Sequence, residues 1–158
     1  MANLKLTIDD FYSSDFELIA IHTSLEDYKL AFHINKTLEI SLSISQKEIS
    51  IKSNEGIGVF SWFCYDDNKH DLEWNLLANK TAVASEQRNI GLFNETAFAV
   101  QMHLIPELKK ADYLLKIENL DHRFDTKKVI HKISEINQIS TTYIVDAENI
   151  KSINNLIF

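Results

Sequence analysis

In three stretches between residues 39 and 76 the apolar side chains recur at every second position, and that rhythm restricts what the chain can fold into. Glu39-Ile40-Ser41-Leu42-Ser43-Ile44 alternates polar with apolar, and so does Glu48-Ile49-Ser50-Ile51-Lys52. Successive side chains of an extended strand point to opposite faces, so each segment predicts a half-buried strand, the two joined by a short turn near Gln46. Asn54-Glu55-Gly56 is a turn signal. It leads into Val59-Phe60-Ser61-Trp62-Phe63-Cys64-Tyr65, the most aromatic stretch of the chain. After a polar loop at Asp66–Asp71, Leu72-Glu73-Trp74-Asn75-Leu76 alternates again. Connections this short are too brief for parallel crossovers, so the four segments predict an antiparallel meander.

On either side of this region the period becomes helical. Phe16–His22 reads as a mostly buried strand. Thr23 or Ser24 can then cap a helix, with Glu26 or Asp27 three residues on, running to about Leu38. Leu25, Tyr28 and Phe32 fall on one side of it, and Ala31, Ile34 and Leu38 on an adjoining stripe, the spacing of a helix with a core-facing side. Residues Thr81–Thr96 are polar without clear periodicity and are the candidate for a mobile loop. Phe98–Ile105 resumes strand character, Pro106–Lys110 suits one helical turn, and Ala111–Ile117 is strand again. Asp125 or Thr126 opens a second helix whose Val129, Ile130, Ile133 and Ile136 share a face, and Thr141–Val145 reads as a last strand. The apolar terminus Asn154–Phe158 is expected to dock on the chain's own core or on a partner.

With 158 residues, 45% of them hydrophobic, the expectation is a single domain over 1–158. Its expected fold is α+β: a mainly antiparallel sheet of about six or seven strands with two principal helices on one face. The first strand–helix–strand unit is expected to add one parallel pairing.

Net charge is −7, which disfavours a phosphate backbone or an anionic membrane as partner, while a local basic patch leaves nucleic acid open. Cys64 is the single cysteine, so no intramolecular disulfide can form. Met1–Leu6 lacks the basic-then-apolar pattern of a signal peptide. No apolar run approaches the ~20 residues that span a bilayer. These features lead to a cytoplasmic expectation, in which the sequons starting at Asn35, Asn79 and Asn94 carry no meaning.

Ile105-Pro106-Glu107, three residues, Ala111, then Asp112-Tyr113 resembles the signature of the IPExxxVDY family of Bacteroidetes-type bacterial proteins, with Ala111 where that family has Val. Leu25-Glu26-Asp27-Tyr28 with Leu30-Ala31 and Asn35-Lys36 is similar to the family's first helix, and Asn154–Phe158 to its terminus. The resemblance brings no established catalytic or binding residue with it. Physically, Pro106 fixes a bend between two strands, and Glu107 can accept from free backbone N–H groups there. Asp112 can accept from backbone donors or from Lys109, and Tyr113 can bury its ring while its hydroxyl is bonded. As a sharper alternative, Glu107 and Asp112 form an acid–base pair assisted by Tyr113, which requires a pocket that raises one carboxyl's pKa.

Other chemistry finds less footing. Asp66, Asp67, His70, Asp71 and Glu73 lack the glycine and spaced glutamate of a calcium loop. The histidines His22, His33, His70, His103, His122 and His131 show no zinc spacing, so no metal and no cofactor is expected. Gly56-Ile57-Gly58 lacks a third glycine and precedes a strand, the wrong context for a dinucleotide. Cys64 lies in an apolar strand and reads as an inert thiol. Alternation sends Trp62 and Phe63 to opposite faces, so Trp62, Phe63 and Trp74 are candidates for an interaction surface wherever the fold leaves them uncovered. Arg123, Lys127, Lys128, His131 and Lys132 give the second helix a basic side.

Three functional classes follow. The first is a non-enzymatic interaction module, a homodimer or the binder of a protein partner. The second is an RNA- or acidic-partner-binding protein using Lys127, Lys128 and Lys132. The third is an enzyme using Glu107, Asp112 and Tyr113.

Overall fold

A computed structural model describes residues 16–85 and 98–158. The elements in chain order are β1 (Phe16–Thr23), α1 (Asp27–Leu38), β2 (Ser43–Ile44), β3 (Ile49–Ser53), β4 (Gly56–Phe60), β5 (Trp62–Asp67), β6 (Leu72–Ala78), β7 (Lys80–Ser85), β8 (Phe98–His103), β9 (Tyr113–Glu118), α2 (Thr126–Ser134) and β10 (Ile139–Val145). Single 3-10 turns stand at Pro106–Leu108, Ala147–Asn149 and Ile153–Leu156. Six strands form the main sheet in the order β10-β1-β9-β6-β5-β2, and β3-β4 and β7-β8 are separate hairpins. The fold is α+β, with two helices and an antiparallel main sheet, as the two-residue rhythm predicts.

Alternation along the central strands divides the core between the two faces of this sheet. Ile19 and Ile21 of β1, Trp74 and Leu76 of β6, and Leu115 and Ile117 of β9 point to one face, where Leu30, Ala31 and Ile34 of α1 and Val129 and Ile133 of α2 cover them. Leu18 and Ala20, Leu77 and Leu114 point to the other. There they meet Ile49 and Phe60 of the first hairpin, Val83 and Met102 of the second, and Ile150 and Leu156 near the C-terminus. A sheet buried on both faces explains why β1 and β9 read as nearly continuous apolar runs.

Several expectations are corrected. Among the described residues no parallel pairing forms: β1 lies between β9 and β10 and runs antiparallel to both. Helix α1 instead carries the chain to the far edge, where β2 pairs with β5. The four-strand meander is also not formed. Glu39 takes a left-handed conformation (φ 58°) as the cap of α1, and its N–H bonds the Asn35 carbonyl. The Asn35 amide then brackets Leu42, donating to its carbonyl at 2.9 Å and accepting from its N–H at 2.7 Å. A side chain thus occupies the place of a neighbouring strand, and only Ser43–Ile44 remain in the ladder.

Val59–Tyr65 is two strands. The chain leaves β4 at Phe60, bends at Ser61 and joins the main sheet as β5, so β3-β4 folds over the second face instead of extending the sheet. Two glycines permit this close stacking. A Cβ on Gly58 would stand 2.5 Å from Met102 Sδ and 3.0 Å from Thr81 Cγ2, and Gly56 holds φ +136° beside Val83. The predicted loop at Thr81–Thr96 begins as β7, paired with β8, because Val83 supplies an inward anchor among small residues. Residues 86–96 of that loop, Asn94 among them, and the N-terminal segment Met1–Leu6 lie outside the described residues.

Of the two adjoining apolar stripes of α1, the one that holds Ala31 and Ile34 is buried. Leu30, Ala31 and Ile34 are buried, whereas Tyr28 is 56% and Phe32 63% exposed. Each is two residues from Leu30, more than half a turn around a 3.6-residue helix, so burying Leu30 turns both outward.

Candidate functional site

The IPE…ADY segment wraps around one side chain that its own sequence does not include. Asn79, between β6 and β7, is fully buried. Its side-chain oxygen accepts from the Ile105 N–H at 2.8 Å, and its amide donates to the carbonyls of Leu108 at 2.9 Å and Ala111 at 3.0 Å. Its backbone N–H donates to the Asp112 carbonyl, and its carbonyl accepts from the Leu104 N–H, both at 2.9 Å. Every polar group of Asn79 is thereby bonded to the loop from Leu104 to Asp112, which satisfies a turn that would otherwise bury unpaired backbone. Ile105 and Ala111 are each 0% exposed against the second-face core.

Glu107 and Asp112 face different segments. Glu107 accepts from the Ser152 N–H at 2.9 Å and the Ser152 hydroxyl at 3.2 Å, tying the turn that Pro106 opens to the C-terminal segment. Partial burial would raise its carboxyl, but N–H groups of Glu107 itself, Ser152 and Lys151, with the Ser152 hydroxyl, outweigh that and hold it below the ordinary carboxylate range. Asp112 accepts from the Thr23 N–H at 2.9 Å and pairs with Lys80 at 2.7 Å, so its cationic partner is Lys80 and not the expected Lys109. Lys80 stands opposite His103 across the second hairpin; burial, then the charge of Lys80, lower the His103 pKa against a backbone hydrogen bond at Lys109 that raises it. The Tyr113 hydroxyl donates to the Leu25 carbonyl at 2.8 Å, just ahead of α1. Burial, followed by the nearby carboxylates Asp27, Asp112 and Glu26, pushes its pKa up to about 12. Tyr113 is therefore a neutral hydrogen-bond donor.

The aromatic candidates are covered from within. Phe63 and Trp74, 9% and 5% exposed, lie under the helices and offer no side chain to a partner. Trp62 is half-buried on the second face, where its indole N–H donates to Asn75 at 2.8 Å and its ring meets Phe158 at 4.4 Å between centroids. The Asn75 amide donates to Glu118, which pairs with the buried Lys116. Lys116 also donates to the Leu156 carbonyl and lies over the rings of Phe16 and Phe158. The terminal segment thus docks on the chain's own sheet.

Lys127, Lys128 and Lys132 are exposed on α2. None of them lines the shallow hollow of about 330 Å³ formed by Lys69, His70, Leu72, Asp121, Arg123 and Phe124. In that hollow Arg123 is already engaged by Asp121 through two bonds of 2.9 and 3.2 Å. At the hairpin tip beside it, Asp67 accepts from the Lys69 N–H and the His70 ring, which serves turn closure. Among the described residues, no group of three or more His, Cys, Asp or Glu side chains is placed to hold a metal ion. Among those same residues, no helix is long and apolar enough to cross a membrane.

The two edges of the main sheet differ sharply. The β2 edge is only two residues long. The β10 edge offers seven, Ile-Ser-Thr-Thr-Tyr-Ile-Val, without a charge, a proline or a glycine. One side of β10 pairs with β1, and among the described residues no strand pairs with its other side. Tyr143 is 39% and Ile144 43% exposed on this strand. The sequence reading found β10 but not its position, because edge location depends on strand order and leaves no local periodicity. The one legible signal was the absence of charge. The chain matches no protein-family model, no curated protein and no solved structure.

Proposed function

We propose that this chain is a non-enzymatic protein-interaction module that binds an extended partner strand along β10. The observation that carries this reading is the uncharged seven-residue edge, unpaired among the described residues. Such an edge displays a row of N–H and C=O groups, and native sheets ordinarily blunt it with lysine, proline, shortness or a bulge. The opposite edge is blunted by shortness; β10 carries only a register shift near Ile139. Strand addition uses main-chain hydrogen bonds for affinity and alternate side chains for selectivity. Tyr143 and Ile144, adjacent along the strand, offer one apolar contact on each face.

The same proposal assigns the IPE…ADY segment an architectural task, and with it the resemblance to the IPExxxVDY proteins: the motif marks a fold rather than a reaction. Supporting this, Glu107, Asp112 and Tyr113 each bond a different segment, at Ser152, Thr23 with Lys80, and Leu25. A general acid at neutral pH needs a carboxyl held above its ordinary range, whereas Glu107 is held below it.

Selection of random seven-residue peptides on the immobilised protein tests the binding mode. Uncharged, β-branched peptides should be enriched, and their binding should be lost in the Thr141→Lys, Ile144→Lys double variant. Absence of enrichment, or enriched peptides indifferent to that variant, would overturn it.

A further inference from the structure

We infer that the strand received by β10 is β10 of a second copy, antiparallel about a two-fold axis through Thr142. This rests on the strand-addition reading and names its partner. A two-fold axis normal to a sheet brings any edge strand antiparallel to its own copy, and every pair in this main sheet is already antiparallel. In the regular part of the strand Thr141 faces Tyr143 and Thr142 faces Thr142 of the second copy, while Ser140, the residue skipped in the register with β1, and Ile139 stand toward Ile144 and Val145.

Three features of the strand fit that partner. First, the chain's net charge of −7 makes two copies repel, and this strand places no ionised group on the seam. Like charges directly opposed across a ladder destabilise it, and the symmetric register opposes none. Second, the centred register sets Tyr143 and Ile144 against the hydroxyl residues Thr141 and Ser140, covering on both faces the apolar side chains that the single copy leaves exposed. Third, Thr142 Oγ1 is buried without a hydrogen-bond partner. Rotation about χ1 exchanges that hydroxyl with the methyl group, and across the axis it meets an identical hydroxyl, a pairing that favours facing threonines. The register shift of β10 against β1 falls between His22 and Thr23, at the Ile139 end, and leaves Thr141–Val145 regular. Both helices of each copy then lie on the same face of one continuous sheet.

Sedimentation equilibrium of the full chain over a concentration series tests the inference. The expected mass rises with concentration from 18.2 kDa toward twice that value. In the Thr141→Lys, Ile144→Lys variant, with circular dichroism unchanged, dissociation should weaken the assembly by about tenfold or more. A second arm fixes the register in a Cys64→Ser background. Directly opposed antiparallel residues have Cα atoms about 4.5–5.5 Å apart, within disulfide reach. Thr142→Cys should therefore oxidise to a covalent dimer, and Ser140→Cys should lag far behind it. A monomer at every concentration with no Thr142→Cys crosslink overturns self-pairing, as does a dimer indifferent to both edge lysines. If the monomer still selects peptides through β10, only the identity of the partner falls; if it selects none, the strand-addition reading falls with it.

Discussion

Asn79 illustrates how one side chain can organise a segment thirty positions away. Asn79→Ala would leave the Ile105 N–H and the Ala111 carbonyl buried without their partner, while the Leu108 carbonyl keeps only the Ala111 N–H. Each orphaned group costs ~1–3 kcal/mol, so a loss of about 3 kcal/mol or more is expected in chemical denaturation. Asn79→Asp should be at least as damaging, because it points a carboxylate oxygen at two carbonyls. Nothing near Asn79 in the sequence announces this; it reads as a chance sequon, since its partners lie on a loop that only the completed β6–β9 pairing brings back. Glu107 was half legible: a carboxylate at a proline bend predicts backbone N–H donors, but the donor Ser152 lies 45 positions on. Its folded pKa is lowered, so its bonds stabilise the fold above the unfolded glutamate pKa, about 4.3. That contribution is lost as pH falls through the lower folded value. Glu107→Gln should accordingly be less stable than the parent at neutral pH, with the gap closing below about pH 4 in urea titrations. A gap independent of pH would remove the carboxylate from the account.

At the level of elements, periodicity was a better guide to strand type than to strand company. The alternation of Leu72–Leu76 is the alternation of β6, with Trp74 and Leu76 turned to the helices and Asn75 buried on the second face, bonded to Trp62 and Glu118. Val59–Tyr65 is apolar or aromatic at every position but Ser61, and it crosses from a hairpin into the main sheet there, with Phe60 and Trp62 kept on the same face by the bend. In α1 two apolar stripes competed for the core, and the sequence holds no decisive preference between them. Tyr113 and Asn35 help to settle the choice by tying the two ends of the helix, through Leu25 and Leu42. The winning stripe can be read by substitution. Leu30→Ala, at a fully buried position, should cost about 2–5 kcal/mol. Phe32→Ser, at a position 63% exposed, should stay within about 0.5 kcal/mol of the parent in thermal or denaturant unfolding. Comparable losses at the two sites would mean that the Tyr28–Phe32 stripe packs on the core as well.

Over the whole molecule, a sheet buried on both sides needs two different covers, and here they are chemically unlike. Helices cover one face by side-chain packing, whereas the other is covered by hairpins whose backbones must come close to each other. That closeness depends on Gly58, which leaves room for Met102 and Thr81 of the second hairpin. A glycine before a strand offers no sign of the contact, because the opposing residues come from a hairpin completed more than forty positions later. Gly58→Ala would set its Cβ 2.5 Å from Met102 Sδ and 3.0 Å from Thr81 Cγ2, so one of these neighbours must move, at a cost of ~1–3 kcal/mol. Methionine is flexible enough to yield part of that space, but Thr81 is stiff at χ1 and is not. Met102→Ala alone removes a side chain only 9% exposed and should itself cost about 2–5 kcal/mol. If the hairpins touch through this pair, the double variant should be more stable than the sum of the two single losses by at least ~0.5 kcal/mol, the coupling expected of residues in contact. Strict additivity in denaturant unfolding would mean that Gly58 and Met102 do not meet. The second face would then be closed by its apolar anchors Phe60, Val83 and Leu156, and Gly58 would serve only as a strand residue of β4 opposite Ile51.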